Sequence, residues 1–479
     1  METANSTVTK PTLEEIVSLC KRRGFVFQTS EIYGGLANSY DYGPVGAQLL
    51  RNIKERWWNT FVQRRQDMVG LETQILLHPE TWVASRHVSS FSDPMVEDQV
   101  THKRYRADHL IESWMERRQA EGKPVPAVVV EQLSIEAMGA LIKDEAIVSP
   151  DGNPVSEPKS FNLLFESSIG TVTGEKSKVY LRGETAQGLF TNFKQVLDST
   201  RLKLPFGLAN IGRSFRNEIT TGQFVFRTLE FEQAEIEYFF NPNQTDWQTL
   251  LNDWKDAMWQ FVTTQLGVRA ENLRWRRHDD AERSFYSLDT YDLEYKFSFG
   301  WKELWGLAYR TDYDLRVHQE HSGQKLEYTD PNTGESFLPH VIEPAVGINR
   351  LFLMVLTDAY WRDEAKQRTV LRLAPQLAPA LAAVFPLLKN KPELVELAKS
   401  VHNQLAQEFA VTWDERGNIG KRYLAQDEVG TPFCVTIDFD SLVDQTVTVR
   451  NRDTAEQNRV TIAELPAYLR ERYLKNNLD

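Results

Sequence analysis

Apolar residues at helical spacing mark two helices near the start of the chain. Leu13, Ile16, Val17 and Cys20 recur every three or four residues, which predicts a first helix. A second helix is expected to begin at Pro44, because proline is favoured in a first helical turn. Its apolar positions are Leu49, Leu50, Ile53, Trp57 and Phe61. This apolar stripe fits either a core helix or a subunit interface.

Strand-like segments follow the second helix, and most of them alternate polar with apolar residues. Loops or single helices separate the segments, which favours a mainly antiparallel sheet over a series of βαβ units and therefore predicts an α+β fold. The segments cover residues 178–182, 208–215, 224–240, 285–288 and 340–343.

Two changes in the pattern suggest domain boundaries. Residues 96–160 carry charged helical stretches that lead to a turn, Ser149 to Pro154, so we interpret them as an insertion into a domain that resumes at Phe161. After Tyr360 the composition shifts, and a second boundary is expected near residues 364–370.

Composition places the chain among ordinary globular proteins. Its 479 residues are 41% hydrophobic and 25% charged, enough for a large core and two or three domains. No run approaches the roughly 20 apolar residues of a membrane span, and the first residues are polar rather than an export signal. We therefore expect a cytoplasmic protein with no membrane contact. Cys20 and Cys434 form no Cys-x-x-Cys pair, so neither disulfides nor a structural metal is expected.

Net charge decides little about partners. The balance of −12 disfavours a protein coated in nucleic acid, yet a local basic surface can still bind RNA. Short basic runs are more often solvated surface than binding sites. The candidate runs are Lys21-Arg22-Arg23, Arg64-Arg65, Arg274-Trp275-Arg276-Arg277 and Lys421-Arg422-Tyr423.

The segment 224–240 concentrates chemistry on one strand face. Residues two apart share a face, which places together Arg227, Leu229, Phe231, Gln233, Glu235 and Glu237. At about 3.3 Å per residue, Arg227 and Glu235 stand about 26 Å apart, the length of an extended site. Arg216 and Glu218 share a face of the preceding strand, and residues 219–223 form the connecting loop.

Such a face suits a nucleotide together with a cationic group. Guanidiniums bind phosphate, an aromatic ring stacks on a base, and carboxylates receive an ammonium. A solvated face of alternating salt bridges is the competing interpretation. It is disfavoured because Glu232, Glu235 and Glu237 crowd together without alternating cations.

These residues resemble a known family. Arg216, Glu218, Arg227, Phe231 and Glu235 are similar in type and spacing to motif 2 of the class II aminoacyl-tRNA synthetases. The run from Glu343 to Arg350 resembles motif 3, and residues 42–58 resemble motif 1, the dimer element. Within that class, the resemblance to the dimeric glycyl-tRNA synthetases covers nearly the whole chain. Further matching runs begin at Arg23, Ser30, Phe91, Arg104, Glu184, Trp305 and Asp427.

The resemblance implies an arrangement of domains. A class II catalytic domain, a mainly antiparallel sheet flanked by helices, occupies residues 1–95, with motif 1 and the dimer interface, and 161–366, with motifs 2 and 3. Residues 96–160 form the inserted helical segment, and residues 367–479 form a C-terminal α/β anticodon-binding domain. Donors and an aromatic ring in the last domain, in the runs at Lys421, Arg450 and Gln457, suit splayed single-stranded bases.

The resemblance also implies a reaction, in which glycine and ATP give glycyl-adenylate and pyrophosphate, and glycine then passes to the 3′ end of tRNA(Gly). Arg216, Glu218 and Arg350 are the expected catalytic residues, with Arg216 on the α-phosphate and Arg350 on the γ-phosphate. Phe231 stacks on adenine, and Mg²⁺ bridges phosphates near Glu303. The expected ATP-binding residues are Arg216, Asn217, Glu218, Phe226, Arg227, Phe231, Glu303, Leu304, Gly347 and Arg350.

For glycine, the resemblance implies that Glu184, Glu235 and Glu343, with Glu237 as a further candidate, surround the ammonium, and that Arg106 closes the pocket. Every competing amino acid is larger, so rejection by clash is expected to suffice without an editing domain. A homodimer without a DNA partner is expected. The expected substrate-binding residues are Arg106, Glu184, Phe231, Glu232, Gln233, Glu235, Glu343, Ala345 and Gly347.

Several positions depart from the common family pattern. Gly183 stands where the family often has proline, Ala345 where it has serine, and Arg86 where glycine is common. The loss of a hydroxyl at Ala345 leaves the strength of glycine binding open. Residues 98–101 and 149–152 replace the two Cys-x-x-Cys pairs of some relatives, so no zinc is expected.

Two other functions fit parts of the pattern. A non-catalytic accessory subunit of a DNA polymerase shares this fold but need not keep the ATP residues, which are present here. An amino-acid ligase that charges a carrier would keep the ATP site and alter the C-terminal domain. The retained C-terminal domain disfavours that second alternative.

Overall fold

The computed structural model describes residues 10–130, 133–170, 177–218, 223–279, 283 and 286–475. The α-helices, numbered along the chain, are α1 (Leu13–Arg23), α2 (Pro44–Trp58), α3 (Pro79–Ala84), α4 (His87–Ser90), α5 (Ala107–Ala120), α6 (Ile135–Asp144), α7 (Ala186–Ser199), α8 (Trp247–Gln260), α9 (Tyr313–Ser322), α10 (Ile348–Ala359), α11 (Pro392–Leu405), α12 (Ile419–Val429), α13 (Phe439–Asp444) and α14 (Leu465–Lys475).

The strands are β1 (Val26–Gln28), β2 (Tyr40–Tyr42), β3 (Met68–Gly70), β4 (Ser92–Glu97), β5 (Arg104–Arg106), β6 (Lys159–Asn162), β7 (Glu166–Ile169), β8 (Ser177–Tyr180), β9 (Phe206–Phe215), β10 (Glu230–Phe240), β11 (Leu273–Arg277), β12 (Asp289–Phe297), β13 (Gly300–Thr311), β14 (Tyr328–Thr329), β15 (Ser336–Phe337), β16 (His340–Gly347), β17 (Tyr360–Asp363), β18 (Arg368–Leu371), β19 (Ala382–Pro386), β20 (Val411–Trp413), β21 (Phe433–Ile437), β22 (Thr446–Asn451) and β23 (Gln457–Thr461).

A seven-stranded sheet forms the centre of the larger part of the chain. Its order is β11-β12-β13-β16-β10-β9-β3, and its pairs are antiparallel except for β3 with β9. Sequence-distant strands meet at its middle, since Glu235 of β10 is paired with Ala345 of β16, and Ala345 with Gly306 of β13. The prediction of an α+β fold with a mainly antiparallel sheet is confirmed.

The two faces of β10 have different environments. Ala234, Ile236 and Tyr238 belong to the main apolar core, together with residues of α2 and α10. Phe239, on the opposite face, packs in a second cluster with Phe190 and Phe193 of α7. The carboxylates of Glu235 and Glu237 share that second face because residues two apart in a strand point the same way.

Helix α2 confirms the predicted element and decides between its two interpretations. It begins at Pro44, and a π-helical segment, Asn59–Gln63, extends it. The apolar side chains Leu49, Ile53, Trp57 and Phe61 are buried inside this chain. The stripe is therefore a core face.

The strand around residue 224 is shorter than predicted. Phe224–Phe226 form a 3₁₀ turn, and β10 begins only at Glu230. Gln223 and Phe224 have left-handed backbone angles, with φ of 68° and 56°, which end any extended run. Arg227 therefore precedes the strand, and the predicted 26 Å separation from Glu235 does not apply.

Two further strand predictions need correction. Strand β9 ends at Phe215, so Arg216 and Glu218 follow it instead of lying within it. Tyr286 to Leu288 lie in a turn ahead of β12, which begins at Asp289, and Phe285 lies outside the described residues. In the predicted loop 219–223, only Gln223 is described.

The predicted insertion contains helices α5 and α6 beside a small sheet of β5, β4 and β6. The carboxylate of Asp98 joins its two ends. It accepts hydrogen bonds from the backbone N–H groups of Val100 and Thr101, both at 2.8 Å, from Ser149 Oγ at 2.6 Å and from Asn153 Nδ2 at 3.1 Å. These bonds hold the pKa of Asp98 well below its usual value, against the effect of desolvation.

The C-terminal part forms a separate α/β layer. Its sheet has the order β20-β19-β21-β22-β23, parallel at β20-β19-β21 and antiparallel beyond. Side chains of α11 and α14 cover an apolar cluster against it. Residues 364–370, the predicted boundary, fall in the β17–β18 hairpin, and the exact domain limits stay a prediction. Among the described residues, no helix is long and apolar enough to cross a bilayer.

Candidate functional site

A cavity of about 280 Å³ opens on the second face of the central sheet. It lies where β10, β13 and β16 meet the start of α10. The residues that line it are Glu184, Arg216, Glu218, Phe226, Arg227, Thr228, Phe231, Gln233, Glu235, His278, Tyr286, Thr290, Asp292, Glu303, Gly306, Leu307, Ala308, Glu343, Ala345, Gly347, Asn349 and Arg350.

Two arginines define the cationic end of this cavity. The Arg216 guanidinium lies 5.1 Å from the ring of Phe91 and 5.4 Å from that of Phe231, and its Nε donates to the carbonyl of Gly183 at 3.0 Å. Cation–π contacts with two rings hold the guanidinium plane. This anchoring presents a forked donor to the cavity.

Arg350 is the second arginine and lies in the first turn of α10. Its Nη1 is 3.0 Å from Glu303 Oε2, and its guanidinium lies 4.5 Å from the ring of Phe226. Arg350 lowers the pKa of Glu303, so this carboxyl is ionised at neutral pH. The start of a helix adds positive potential for an anion here.

Three carboxyl groups define the opposite end. Burial, with the charges of Glu184 and Glu343, raises the pKa of Glu235 to about 8. Burial also raises the pKa of Glu343 to about 7, although Arg310 acts in the other direction. His87 and Arg310 hold the pKa of Glu184 well below its usual value, in spite of desolvation. When no cation is bound, Glu235 and Glu343 therefore hold protons near neutral pH, whereas Glu184 is ionised.

Each carboxyl group of the cluster is held in position. Glu235 accepts from the Thr185 N–H at 2.9 Å, from the Thr185 hydroxyl and from Gln233 Nε2 at 2.7 Å. Glu343 accepts from Arg310 at 2.7 Å, and Glu184 Oε1 lies 3.4 Å from His87 Nε2. A small cation placed between them meets oriented acceptors.

Most predicted site residues line the cavity, but four do not. Glu232 lies on the other face of β10 and pairs with Lys54 at 2.8 Å, and Leu304 is buried in the main core. Arg106 pairs with Asp93 and Asp108 in the insertion, and the N–H of Asn217 donates to the carbonyl of Leu163. The alternation of strand faces explains the first two.

Glu237 lies behind the cavity instead of lining it. Its side chain is fully buried, and neither carboxyl oxygen has a hydrogen-bond partner among the described residues. Burial, and then the charge of Glu343, raises the pKa of Glu237 well above its usual value. A neutral group behind the wall does not contribute a charge to the cluster.

Sequence reasoning missed the residues that β12 and its neighbours contribute. His278 Nε2 lies 2.8 Å from Asp292 Oδ2, and the ring and carboxylate both reach the cavity. The only available signal was the alternation of polar residues in β12. The missed lining residues are Thr228, His278, Tyr286, Thr290, Asp292, Gly306, Leu307, Ala308 and Asn349.

The basic runs have structural partners. Arg274, Arg276 and Arg277 pair across strands with acidic residues of β12, including Asp292 and Glu294. The C-terminal arginines are also used internally. Arg422 is buried and donates to backbone carbonyls, Arg450 forms a fork with Asp427, and Arg452 pairs with Asp453.

Comparison with known proteins finds relatives that match nearly the whole chain. Residues 382–472 match the family model described as an anticodon binding domain. The chain is 48% identical over 468 residues to a glycine–tRNA ligase of Caldanaerobacter subterraneus subsp. tengcongensis, which covers 97% of this chain and 99% of that protein. It is 49% identical to one from Clostridium beijerinckii, over 96% and 98% of the two chains, and 46% identical to one from Staphylococcus haemolyticus, over the same shares.

Proposed function

The chain belongs to the glycine–tRNA ligase family, and we propose that its cavity activates glycine with ATP and then transfers glycine to the 3′ end of tRNA(Gly). The observation that carries this proposal is the placement of opposite charges in one small cavity. Arg216 and Arg350 lie at one end, and Glu184, Glu235 and Glu343 lie at the other. A nucleotide's phosphates fit the first end and an ammonium fits the second.

The cationic end supports the roles expected for ATP. Arg216 binds the α-phosphate and stabilises the charge that develops there, while Arg350 binds the γ-phosphate. Phe231, beside Arg216, offers its ring to the adenine. Glu303 has a carboxylate oxygen, the ligand type that Mg²⁺ prefers, so Glu303 would hold a Mg²⁺ ion, which would supply positive charge to offset that of the phosphates.

The anionic end supports binding of glycine through its ammonium. Glu235 and Glu343 release their bound protons when this cation binds, and the ionised Glu184 contributes its negative charge. Glycine's carboxylate then attacks the α-phosphorus, pyrophosphate leaves, and glycyl-adenylate forms. The carboxylate is already a nucleophile, so positioning and charge stabilisation suffice without a side-chain base. A ribose hydroxyl of tRNA next attacks the glycyl carbonyl, and AMP leaves.

Size supports selection of glycine. A larger amino acid places its Cβ among groups that already surround the ammonium, and the walls are strands with fixed hydrogen bonds. Rejection by clash works for every competitor, since glycine is the smallest amino acid.

An exposed apolar segment supports the proposed homodimer. The stripe of α2 is buried within the chain, so it leaves no contact surface. Ile32 and Tyr33, in contrast, are 88% and 86% exposed, and Leu36 follows at 55%. A second copy is the natural cover for such a patch. The anticodon domain is proposed to contact tRNA(Gly), and the need for tRNA and ATP supports a cytoplasmic location.

Amino-acid-dependent exchange of pyrophosphate into ATP tests the proposed reaction. Exchange is expected with glycine and not with alanine or serine, and no exchange with glycine contradicts the assignment. Arg216→Ala is expected to reduce exchange by about a hundredfold or more, because one charge-stabilising donor is lost. Its affinity for tRNA should stay nearly unchanged. Arg213→Ala removes an exposed arginine of β9, close to Arg216 in the chain and paired with Glu230, and serves as the matched control.

A further inference from the structure

A buried polar network lies directly behind the carboxyl cluster. Its centre is Arg310 of β13, whose side chain is 2% exposed. The Nε and Nη2 atoms of Arg310 donate to Asp314 at 2.7 Å and 2.9 Å, and its Nη1 donates to Glu343 Oε2 at 2.7 Å. The rings of Tyr286 and Phe190 lie 4.0 Å and 5.5 Å from this guanidinium. Arg310 thus has one fixed orientation.

Gln187 links the same network to the other side of the cavity. Its Nε2 donates to Glu184 Oε1 at 3.0 Å and to Asp314 Oδ1 at 3.1 Å. Its Oε1 lies 2.7 Å from Nε2 of His318. Burial lowers the pKa of His318, so the ring is neutral and donates this bond. Glu343 and Glu184 are therefore connected through Arg310, Asp314 and Gln187.

This arrangement is costly for folding alone. A buried ion pair recovers little more than its desolvation penalty, so it is weak support for stability. Here the Arg310 guanidinium also lies near Glu237, whose buried carboxyl oxygens have no hydrogen-bond partner in the part of the chain that the structure describes. Apolar side chains packed in the same space would stabilise this region at least equally well. What the network supplies in addition is a fixed direction for two carboxylates.

We propose that Arg310 is a positioning residue that orients Glu343 directly, and Glu184 through Asp314 and Gln187, so that both carboxylates meet the ammonium of the amino-acid substrate. The inference rests on the proposed function, because it assumes that the cluster binds glycine. Arg310, Asp314 and Gln187 are not among the described residues that line the cavity. Their influence on the substrate passes through the carboxylates that they hold.

Arg310→Lys is the main test. Lysine keeps the charge but lacks the planar fork, so it cannot hold Asp314 and Glu343 together. We expect the KM for glycine in pyrophosphate exchange to rise about tenfold, the effect of losing one charged hydrogen bond, while the KM for ATP stays within about twofold. An unchanged KM for glycine, or an equal rise in both KM values, overturns the proposal.

Arg368→Lys is the matched control. Arg368 is also buried, and it donates to Asp363 at 2.9 Å and Asp427 at 2.8 Å, in the C-terminal part of the chain. Its replacement loses a comparable buried fork far from the cavity. We expect a lower melting temperature with both KM values unchanged. A rise in the KM for glycine in this control as large as in Arg310→Lys shows a general stability effect and overturns the proposal.

Arg310→Gln adds a readout that a purely structural role does not move. Glu343 is faced by Glu235 and Glu237 of β10, Glu184 ahead of α7, Asp314 of α9 and Arg310 itself. Loss of the guanidinium removes the only cation of this set and raises the pKa of Glu343. The pH profile of kcat/KM for glycine should shift to higher pH in Arg310→Gln and stay in place in Arg310→Lys. Identical profiles in both variants contradict the assigned role.

Gln187→Met tests the link between the two carboxylates. Methionine fills the space of the glutamine side chain but has no hydrogen-bond donors. We therefore expect the KM for glycine to rise, by less than in Arg310→Lys. The double variant should raise the KM by less than the product of the single effects, because both changes act on one network. A KM for glycine in the double variant equal to the product of the two single effects would show that the substitutions act independently, and it would overturn the proposed link through Gln187. Glycine-dependent exchange by the unmodified protein establishes the proposed function separately, so failure of the function and failure of the positioning role are distinguishable.

Discussion

Ala345 is the residue of the proposed glycine pocket at which the sequence resemblance predicted a serine. The strand register places it directly beside Glu235 on one side and Gly306 on the other. Thr185 and Gln233 supply the hydrogen bonds that hold Glu235, so this carboxyl group is oriented without a hydroxyl at position 345. The carboxyl cluster is therefore assembled with alanine at position 345.

Ala345→Ser is expected to strengthen glycine binding. The new hydroxyl adds one hydrogen-bonding group to the pocket, and the KM for glycine in pyrophosphate exchange should fall about three- to tenfold. The KM for ATP serves as the internal control and should not change. A KM for glycine that stays the same places the hydroxyl out of reach of the substrate.

Gly306→Ala is expected to fill the cavity without disturbing the fold. A Cβ at this position has no closer neighbours than the Ala345 carbonyl oxygen at 3.8 Å and Glu303 Oε1 at 3.9 Å, which are ordinary contacts. The methyl group instead occupies space between the two substrate ends. We expect kcat/KM in exchange to fall about tenfold or more, with an unchanged melting temperature.

Gly420→Ala provides the control for this substitution. It adds the same methyl group within α12, far from the cavity, where the nearest atom is Asn418 Oδ1 at 3.7 Å. Exchange should be unaffected in this variant. Full activity of Gly306→Ala would show that the substrates do not use the space beside Gly306.

At the scale of elements, the junction of α3 and α4 carries local strain. Arg86 precedes α4 with φ of 63°, a left-handed conformation that favours glycine, the residue that the sequence resemblance predicted here. The two short helices deliver His87, which lies beside Glu184, so the junction positions one contact of the carboxyl cluster. The chain keeps this geometry with an unfavourable residue.

Arg86→Gly is expected to stabilise the protein. Relief of the left-handed strain outweighs the added freedom of the unfolded chain by about 0.5–1 kcal/mol. The corresponding thermal transition should rise by about 1–3 °C in calorimetry. Arg86→Ala removes the same side chain but keeps the strain, so it should not stabilise. A rise of equal size in both variants would trace the effect to the side chain.

Strand β10 shows how one element separates two functions. Its alternate residues enter the main core through Ala234, Ile236 and Tyr238, while Gln233 and Glu235 reach the cavity. Its neighbours β16 and β13 bring Glu343 and Gly306 alongside. The site is therefore a property of paired strands, and its walls are as rigid as the sheet.

At the scale of the whole molecule, the buried carboxyl groups couple substrate binding to pH. The pKa of Glu235 is raised to about 8 and that of Glu343 to about 7, so the free protein binds protons that the ammonium of glycine displaces. Glycine affinity should increase between about pH 6 and pH 8, by up to about tenfold per pH unit for one released proton. Calorimetric titrations in buffers of different ionisation enthalpy measure the release directly.

The raised pKa values of Glu235 and Glu343 also determine how the free energy of unfolding changes with pH. The unfolded chain releases these protons near the ordinary glutamate pKa of 4.5, whereas the folded chain keeps them to about 7 or 8. This contribution to the free energy of unfolding is complete below that ordinary value and is lost as the pH rises through 7 and 8. Saturating glycine should weaken the dependence. Proton uptake on glycine binding would contradict both expectations.

The two parts of the chain are also joined by charge. Arg22 of α1 donates to Glu428 of α12 at 3.0 Å and 3.1 Å, and Arg23 contacts the same carboxylate. The Lys21-Arg22-Arg23 run, a candidate RNA surface in the sequence, thus connects the catalytic part to the C-terminal sheet.

The sequence by itself determined the fold class, the family and most of the cavity. Motif spacing located Arg216, Phe231, Glu235 and Arg350, because these residues lie on or next to single elements whose period is readable in the chain. The period could not decide where a strand starts, so Arg227 was placed on β10, and the assignment of Glu232 to the substrate came from the family resemblance and not from the period.

Only the tertiary structure decided which face of each strand meets the cavity and what lies behind it. Gln187 and Asp314 are 127 positions apart, and Arg310 and Glu343 are 33 apart, yet each pair is joined by a hydrogen bond or ion pair within the network. Such pairings arise from strand register and helix packing between distant segments, which no local pattern encodes. For that physical reason no sequence motif indicated Arg310 or Asp314, and Gln187, although it lies in the run that begins at Glu184, was not predicted to hold a carboxylate of the proposed glycine site.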